Sequence, residues 1–72
     1  MNEYNYYEAR KPLANAIKRV GTVALAKAGD SYLTLAQAIK VIYQENPNLK
    51  SEEIHSRAVA LATASILSII GE

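Results

Sequence analysis

Three of the five tyrosines stand close together near the start of the chain, at Tyr4, Tyr6 and Tyr7, and Arg10 and Lys11 follow them. Flat aromatic rings stack on nucleobases, and Lys and Arg hold phosphate groups. Tyrosines at a chain end also close the open end of a helical bundle or fill a contact between subunits, with the hydroxyl left in water. The segment therefore fits either a nucleotide or nucleic-acid site or a structural role, and we favour the structural one.

A ligand site of this kind would combine the tyrosines with basic residues of the predicted helices. The candidates are Tyr4, Tyr7, Lys11, Lys18, Arg19 and Arg57. A DNA-binding helix-turn-helix is disfavoured, because the helix after the second turn opens with Glu52 and Glu53, which would repel phosphate. The net charge of only +1 gives no indication of a protein that coats nucleic acid through bulk charge.

No constellation suited to catalysis or metal binding is evident. The chain has no cysteine and one histidine, His55, which follows Glu52 by three residues. Two ligands do not make a metal site, so we expect an exposed histidine near a helix end. The three glycines stand apart from one another, which excludes a glycine-rich phosphate loop. We predict a protein with no enzymatic activity, no cofactor and no metal.

Turn-forming residues divide the chain into three predicted helices. The first spans 12–28, since Pro12 is tolerated in a first turn and Gly29 is a typical C-terminal cap. Gly21, in its middle, indicates a kink or the close approach of another helix. Its apolar positions recur at helical spacing and predict one buried face. That face consists of Leu13, Ile17, Val20 and Ala24.

The second helix is predicted over 35–45 and the third over 52–70. Thr34 and Gln37 have the spacing of a capping box, and Leu35, Ile39 and Ile42 form a buried stripe on the second helix. Ser51 is the predicted N-cap of the third helix, whose first turn carries two glutamates that favour the helix dipole. We expect the first and third helices to pack antiparallel, with the second across them.

The third helix carries no charge from 58 to 71, and its large apolar residues point in every direction around the axis. One neighbouring helix pair would leave part of this surface wet, so we predict that a second copy of the chain covers it. The predicted interface consists of Ala58, Ala62, Ser65, Ile66, Ile69 and Ile70. The uncharged run is shorter than the 18 or so residues of a membrane span, and no membrane partner is expected.

The predicted fold is therefore a single all-α domain over 1–72, in which a tyrosine-rich arm (1–11) precedes three helices. Because a chain of 72 residues without cysteine has few other means of stabilisation, assembly as a homo-oligomer is expected. No secretory signal is evident, so the predicted location is cytoplasmic. The leading hypothesis is an interaction protein that binds itself and another protein as a regulator, inhibitor or assembly factor. The alternative is a nucleotide- or nucleic-acid-binding protein.

Overall fold

The computed structural model describes residues 3–72, which are helical with no strand among them. The helices are α1 (Tyr6–Ala9), α2 (Lys11–Val20), α3 (Thr22–Ala28), α4 (Leu35–Glu45) and α5 (Ser51–Leu67), and a 3-10 turn (Ser68–Ile70) continues α5. The all-α class is confirmed. The predicted second and third helices agree with α4 and α5 to within a few residues, and the N-terminal arm contains one helical turn.

The predicted first helix is wrong in one respect, because Gly21 divides it into α2 and α3. Gly21 has φ +88° and ψ 157°, a backbone region that essentially only glycine adopts. A Cβ added at Gly21 would meet no atom within 4 Å, so close approach of another helix is not the reason for the glycine. The break instead turns α3 toward the C-terminal end of α5, where it contacts the 3-10 turn.

Helix α4 runs antiparallel to α5. At one end of the pair, the Leu33 N–H donates to the hydroxyl of Ser65 over 2.8 Å. At the other end, Tyr43 and His55 line the same groove. The short connection between the two helices, residues 46–50, reverses the chain, as the turn residues at 46–48 predicted.

Helices α2 and α5 run parallel, and the predicted antiparallel arrangement is wrong. Tyr4, just ahead of α1 and α2, is hydrogen-bonded to His55 near the start of α5. Arg19, near the end of α2, is paired with Glu72, just beyond α5. The physical reason is that the chain reverses once between α2 and α4 and again between α4 and α5, so that α2 and α5 share a direction.

The core lies where α5 meets α2 and α4. Its buried residues are Leu13, Ala16 and Val20 of α2, Ala38 of α4, and Ile54, Ala58, Val59, Ala62 and Ile66 of α5. Ala38, Ala58 and Ala62 are completely buried, and their small side chains allow the helices to approach closely. Ile17, predicted for the buried face, is 40% exposed because Ala16 takes the inward position of α2.

Of the two predicted helix starts, that of α4 is confirmed and that of α5 is wrong by one residue. Thr34 and Gln37 form the predicted capping box, with the Gln37 N–H donating to Thr34 Oγ1 and the Thr34 N–H to Gln37 Oε1. Ser51 is not the N-cap of α5; Lys50 holds that position and Ser51 begins the helix. Leu49 and Ile54 then occupy the two positions of a hydrophobic staple, which accounts for this start.

The segment Ser51–Ile70 is long and apolar enough to cross a membrane, judged by length and composition alone. The uncharged run over 58–71 is shorter than a membrane span. The longer segment meets the criterion because a span can contain a few charged residues, and those of Ser51–Ile70 lie near its start. A core helix of a soluble protein meets the same criterion. In this fold, one side of the segment packs against α2 and α4.

Candidate functional site

Two of the N-terminal tyrosines lie against His55. Asn5 caps α1 by accepting the Glu8 N–H, which positions the residues on either side of it. The Tyr4 hydroxyl lies 2.7 Å from Nδ1 of His55. The Tyr6 ring stands edge-on to the rings of Tyr4 and His55, with 4.7 Å between centroids in each pair. The predicted aromatic segment is therefore part of a defined cluster with His55.

His55 is buried, and the expectation of an exposed histidine is wrong. Only 7% of its surface is exposed. It precedes Ala58 by three residues and Ala62 by seven, so it continues the buried stripe of α5 at helical spacing. That spacing is visible in the sequence, but α5 is apolar around its whole circumference, so the positions of α2 and α4 are needed to identify this stripe as the buried one.

Both members of the Tyr4–His55 pair are uncharged near neutral pH. Burial lowers the pKa of His55 below its ordinary 6.5, and the positive charge of Arg10 adds to the lowering. Burial raises the pKa of Tyr4 above 10.0, with smaller contributions from Tyr6 and Glu52. A neutral imidazole has one acceptor nitrogen and the phenol is protonated, so we assign the Tyr4 hydroxyl as donor to Nδ1. The ring proton then resides on Nε2.

A groove of about 380 Å³ adjoins this cluster, between α1, α4 and the start of α5. It is lined by Tyr6, Ile39, Tyr43, Leu49, Ser51, Ile54 and His55. Tyr6 and Tyr43 are 41% and 56% exposed. Nε2 of His55 is buried and has no hydrogen-bond partner within residues 3–72. An apolar groove with aromatic side chains and an unpaired polar atom has the character of a ligand-binding site.

The structure does not bring the predicted phosphate-binding residues together. Tyr7, which is 70% exposed, lines a second groove with Arg10 and Lys11, and Lys11 is paired with Glu8 over 3.1 Å. The remaining candidates lie elsewhere. Arg19 is paired with Glu72 at the far end, Lys18 is exposed on α2, and Arg57 lies beside Tyr4, Glu52 and Glu53.

The predicted interface residues of the third helix mostly face inward. Ala58 and Ala62 are completely buried and Ile66 is 3% exposed, all within the single chain. Ser65 also points inward, since it accepts the Leu33 N–H. Ile69 is half-buried, and Ile70 is 40% exposed. Of the six residues, Ser65 and Ile69 are partly exposed and Ile70 is exposed, so only these three retain surface that a second copy could contact.

The outward face of α5 is a different set of residues. Ser56, Ala60 and Ala64 recur every fourth residue and are exposed. With neighbouring residues they line a groove of about 520 Å³. The groove residues are Ala9, Pro12, Ser56, Val59, Ala60, Thr63, Ala64, Leu67 and Glu72. This surface is uncharged over most of its length, as the sequence of the third helix predicted.

Within residues 3–72, no group of three or more His, Cys, Asp or Glu side chains is placed to hold a metal ion. Comparison with protein families, with curated proteins and with solved structures finds no match to this chain. The chemistry of the candidate surfaces therefore follows from their own residues: an apolar groove beside His55, a basic edge near Tyr7, and an uncharged outer face of α5.

Proposed function

We propose that this chain is a small, non-enzymatic interaction protein that self-associates through the outer face of α5. The observation that carries the proposal is the run of exposed small residues Ser56, Ala60 and Ala64 beside an open groove. Small side chains at this spacing allow the backbone of a second helix to approach closely. We propose that α5 of a second copy is the occupant.

A buried polar atom in the same groove supports a close neighbour. The Thr63 hydroxyl oxygen is buried and has no hydrogen-bond partner within the described residues. An unpaired buried hydroxyl costs free energy, which a donor or acceptor on an adjacent helix would recover. Thr63 lines the groove while its hydroxyl is covered, so a change of its χ1 rotamer would bring the hydroxyl within reach of a second helix seated between Ala60 and Leu67.

The charges at the two ends of α5 favour an antiparallel pair. Glu52 and Glu53 lie in its first turn, and Arg19 lies at its far end beside Glu72. The Arg19 side chain is 62% exposed despite this pairing, so it remains accessible to a second partner. A two-fold axis near the middle of α5 would bring the glutamates of each copy toward Arg19 of the other copy.

Assembly of this kind would present two copies of the exposed Tyr7, together with the Arg10 and Lys11 that line the same groove. Exposed tyrosines are typical of the residues that contribute most to protein binding. A symmetric pair of such surfaces suits a regulator, inhibitor or assembly factor that engages a larger protein, and we propose this class of role.

The test is the absolute mass in solution, measured by light scattering after size exclusion at high micromolar concentration. We expect twice the chain mass of 7.9 kDa for the wild type and a monomer for Ala60→Glu, because the glutamate would be buried unpaired in the interface. Ala36→Glu is the matched control, since Ala36 is an exposed alanine of α4. A monomeric wild type, or an Ala60→Glu variant that remains a dimer, would overturn the proposal.

Nucleotide or nucleic-acid binding is the second candidate, and one observation favours it. Tyr7, Arg10 and Lys11 line one groove, so a stacking ring and two cations do lie together there. We place it second because Lys11 is already paired with Glu8 and the other predicted cations lie elsewhere. A single-stranded oligonucleotide whose binding falls steeply between about 50 and 200 mM salt, and is lost in Tyr7→Ala, would reverse this order.

A further inference from the structure

The groove beside His55 is independent of the outer face of α5, because the two surfaces have no lining residue in common. We propose that it binds a small, neutral, apolar molecule that carries one hydrogen-bond acceptor oxygen, such as a carbonyl. A volume of about 380 Å³ is within the range of small-molecule sites in proteins. Because the two surfaces are separate, a chain that proves to be monomeric could still bind this ligand.

The position of the His55 ring indicates which atom the ligand would meet. Nδ1 is held by Tyr4, which does not line the groove. His55 lines the groove, and its two ring nitrogens point in different directions from the ring. We infer that Nε2 is the nitrogen nearer to the groove. Nε2 belongs to a side chain that is only 7% exposed, and it has no partner within residues 3–72. Because Tyr4 donates to Nδ1, Nε2 carries the proton and requires an acceptor.

The rest of the lining defines the remainder of the ligand. Tyr6, Tyr43 and three aliphatic side chains form most of the wall, and no charged residue is among them. A charged ligand would lose its hydration without gaining a counter-charge. Besides His55 and the two tyrosines, the polar residue of the wall is Ser51, which is uncharged. The groove therefore selects an apolar body with a single acceptor directed at His55.

We infer that the Tyr6 ring covers Nε2. It lies 4.7 Å from the His55 ring between centroids, and Nε2 is buried. Tyr6 is itself 41% exposed and belongs to α1, which has four residues and none of them buried. Few contacts therefore resist a rotation of the Tyr6 ring. We expect the ligand to displace that ring and lie between it and Tyr43.

The test uses two probes of similar size, acetophenone, which has a carbonyl, and isopropylbenzene, which does not. Binding is followed in the full chain by NMR, through the ring nitrogens of His55 and the ring signals of Tyr43. We expect acetophenone to shift Nε2 and to bind about three- to tenfold more tightly than isopropylbenzene, the difference that one hydrogen bond provides. Tyr43→Ala should weaken acetophenone at least about threefold. Tyr7→Ala is the control and should leave binding unchanged.

Three results would overturn the inference. The first is no shift at His55 up to the solubility limit of acetophenone, which would mean that Nε2 is satisfied by water. The second is equal affinity for the two probes, which would mean that the groove is merely apolar. The third is broadening of the Tyr43 signals with protein concentration and not with either probe, which would assign the groove to a contact between copies of the chain.

Discussion

Replacing Tyr4 by phenylalanine should destabilise the chain by about 1 to 2 kcal/mol. The substitution removes the hydroxyl that donates to Nδ1 of His55 over 2.7 Å and changes little else in size. His55 is 7% exposed, so the acceptor would be left buried and unpaired, which costs about 1 to 3 kcal/mol. We expect the lower part of that range because Tyr4 is itself only half-buried. The ratio of folded to unfolded chain should fall about 5- to 30-fold.

The assay is urea denaturation followed by circular dichroism near pH 7.5, at one protein concentration throughout. The slope with urea should be unchanged, because Tyr4→Phe leaves the surface exposed on unfolding nearly the same. Tyr7→Phe is the matched control, since Tyr7 is 70% exposed and lies outside the contact with His55. A loss below about 0.5 kcal/mol in Tyr4→Phe, or an equal loss in Tyr7→Phe, would refute the assignment of the Tyr4–His55 bond as a stabilising contact.

Three further predictions concern His55 and two local structures. Burial lowers the pKa of His55 in the folded chain below 6.5. Between this pKa and the pKa of about 6.5 in the unfolded chain, the unfolded chain binds more protons than the folded one. The free energy of unfolding should therefore fall as the pH drops below about 6.5. His55→Gln should flatten that fall in urea titrations between pH 7.5 and 5.5, roughly the range above carboxylate titration. Gly21→Ala should cost about 1 to 3 kcal/mol in thermal unfolding, since φ is +88° there; an unchanged melting temperature would contradict the strained turn. Thr34→Ala should cost about 1 kcal/mol in the same assay through loss of the capping box, and Thr34→Ser should restore most of it.

The helix boundaries were predictable where the determinants are local. The Thr34–Gln37 capping box depends on residues three apart, and the turn at Asn46–Pro47 depends on the restriction that proline places on the residue before it. Gly71 ends the last helical turn in a left-handed conformation, as expected of a C-terminal glycine. In each case a few neighbouring residues decide the structure, so their types and spacing are sufficient.

The relative placement of the helices was not predictable in the same way. Gly21 indicated either a kink or a close contact, and only the positions of α3 and α5 decide between them. The parallel course of α2 and α5 follows from how many times the chain reverses. The inward turn of Ala58 and Ala62 follows from where α2 and α4 lie, because α5 is apolar around its whole circumference and its periodicity does not identify one buried face.

The candidate site was predictable in part. Tyr4 was a candidate residue and Tyr6 belongs to the same aromatic segment, which was noted because aromatic residues that cluster near basic ones are unusual in so short a segment. Tyr7, the other candidate tyrosine, lines a different groove. Ile39 and Tyr43 were missed as site residues, because α4 is distant in the sequence and only the tertiary fold brings it beside α1. The unpaired Nε2 of His55 could not have been predicted, since it depends on which side chains surround the ring.

Self-association through the outer face of α5 can be tested by chemical cross-linking of a single introduced cysteine. The natural chain contains no cysteine, so Ala60→Cys would carry the only thiol, and Ala36→Cys on α4 provides the control. With a short bis-maleimide, we expect a cross-linked dimer in Ala60→Cys at low micromolar protein and only background in Ala36→Cys. Equal cross-linking in the two variants, or none in Ala60→Cys, would contradict it.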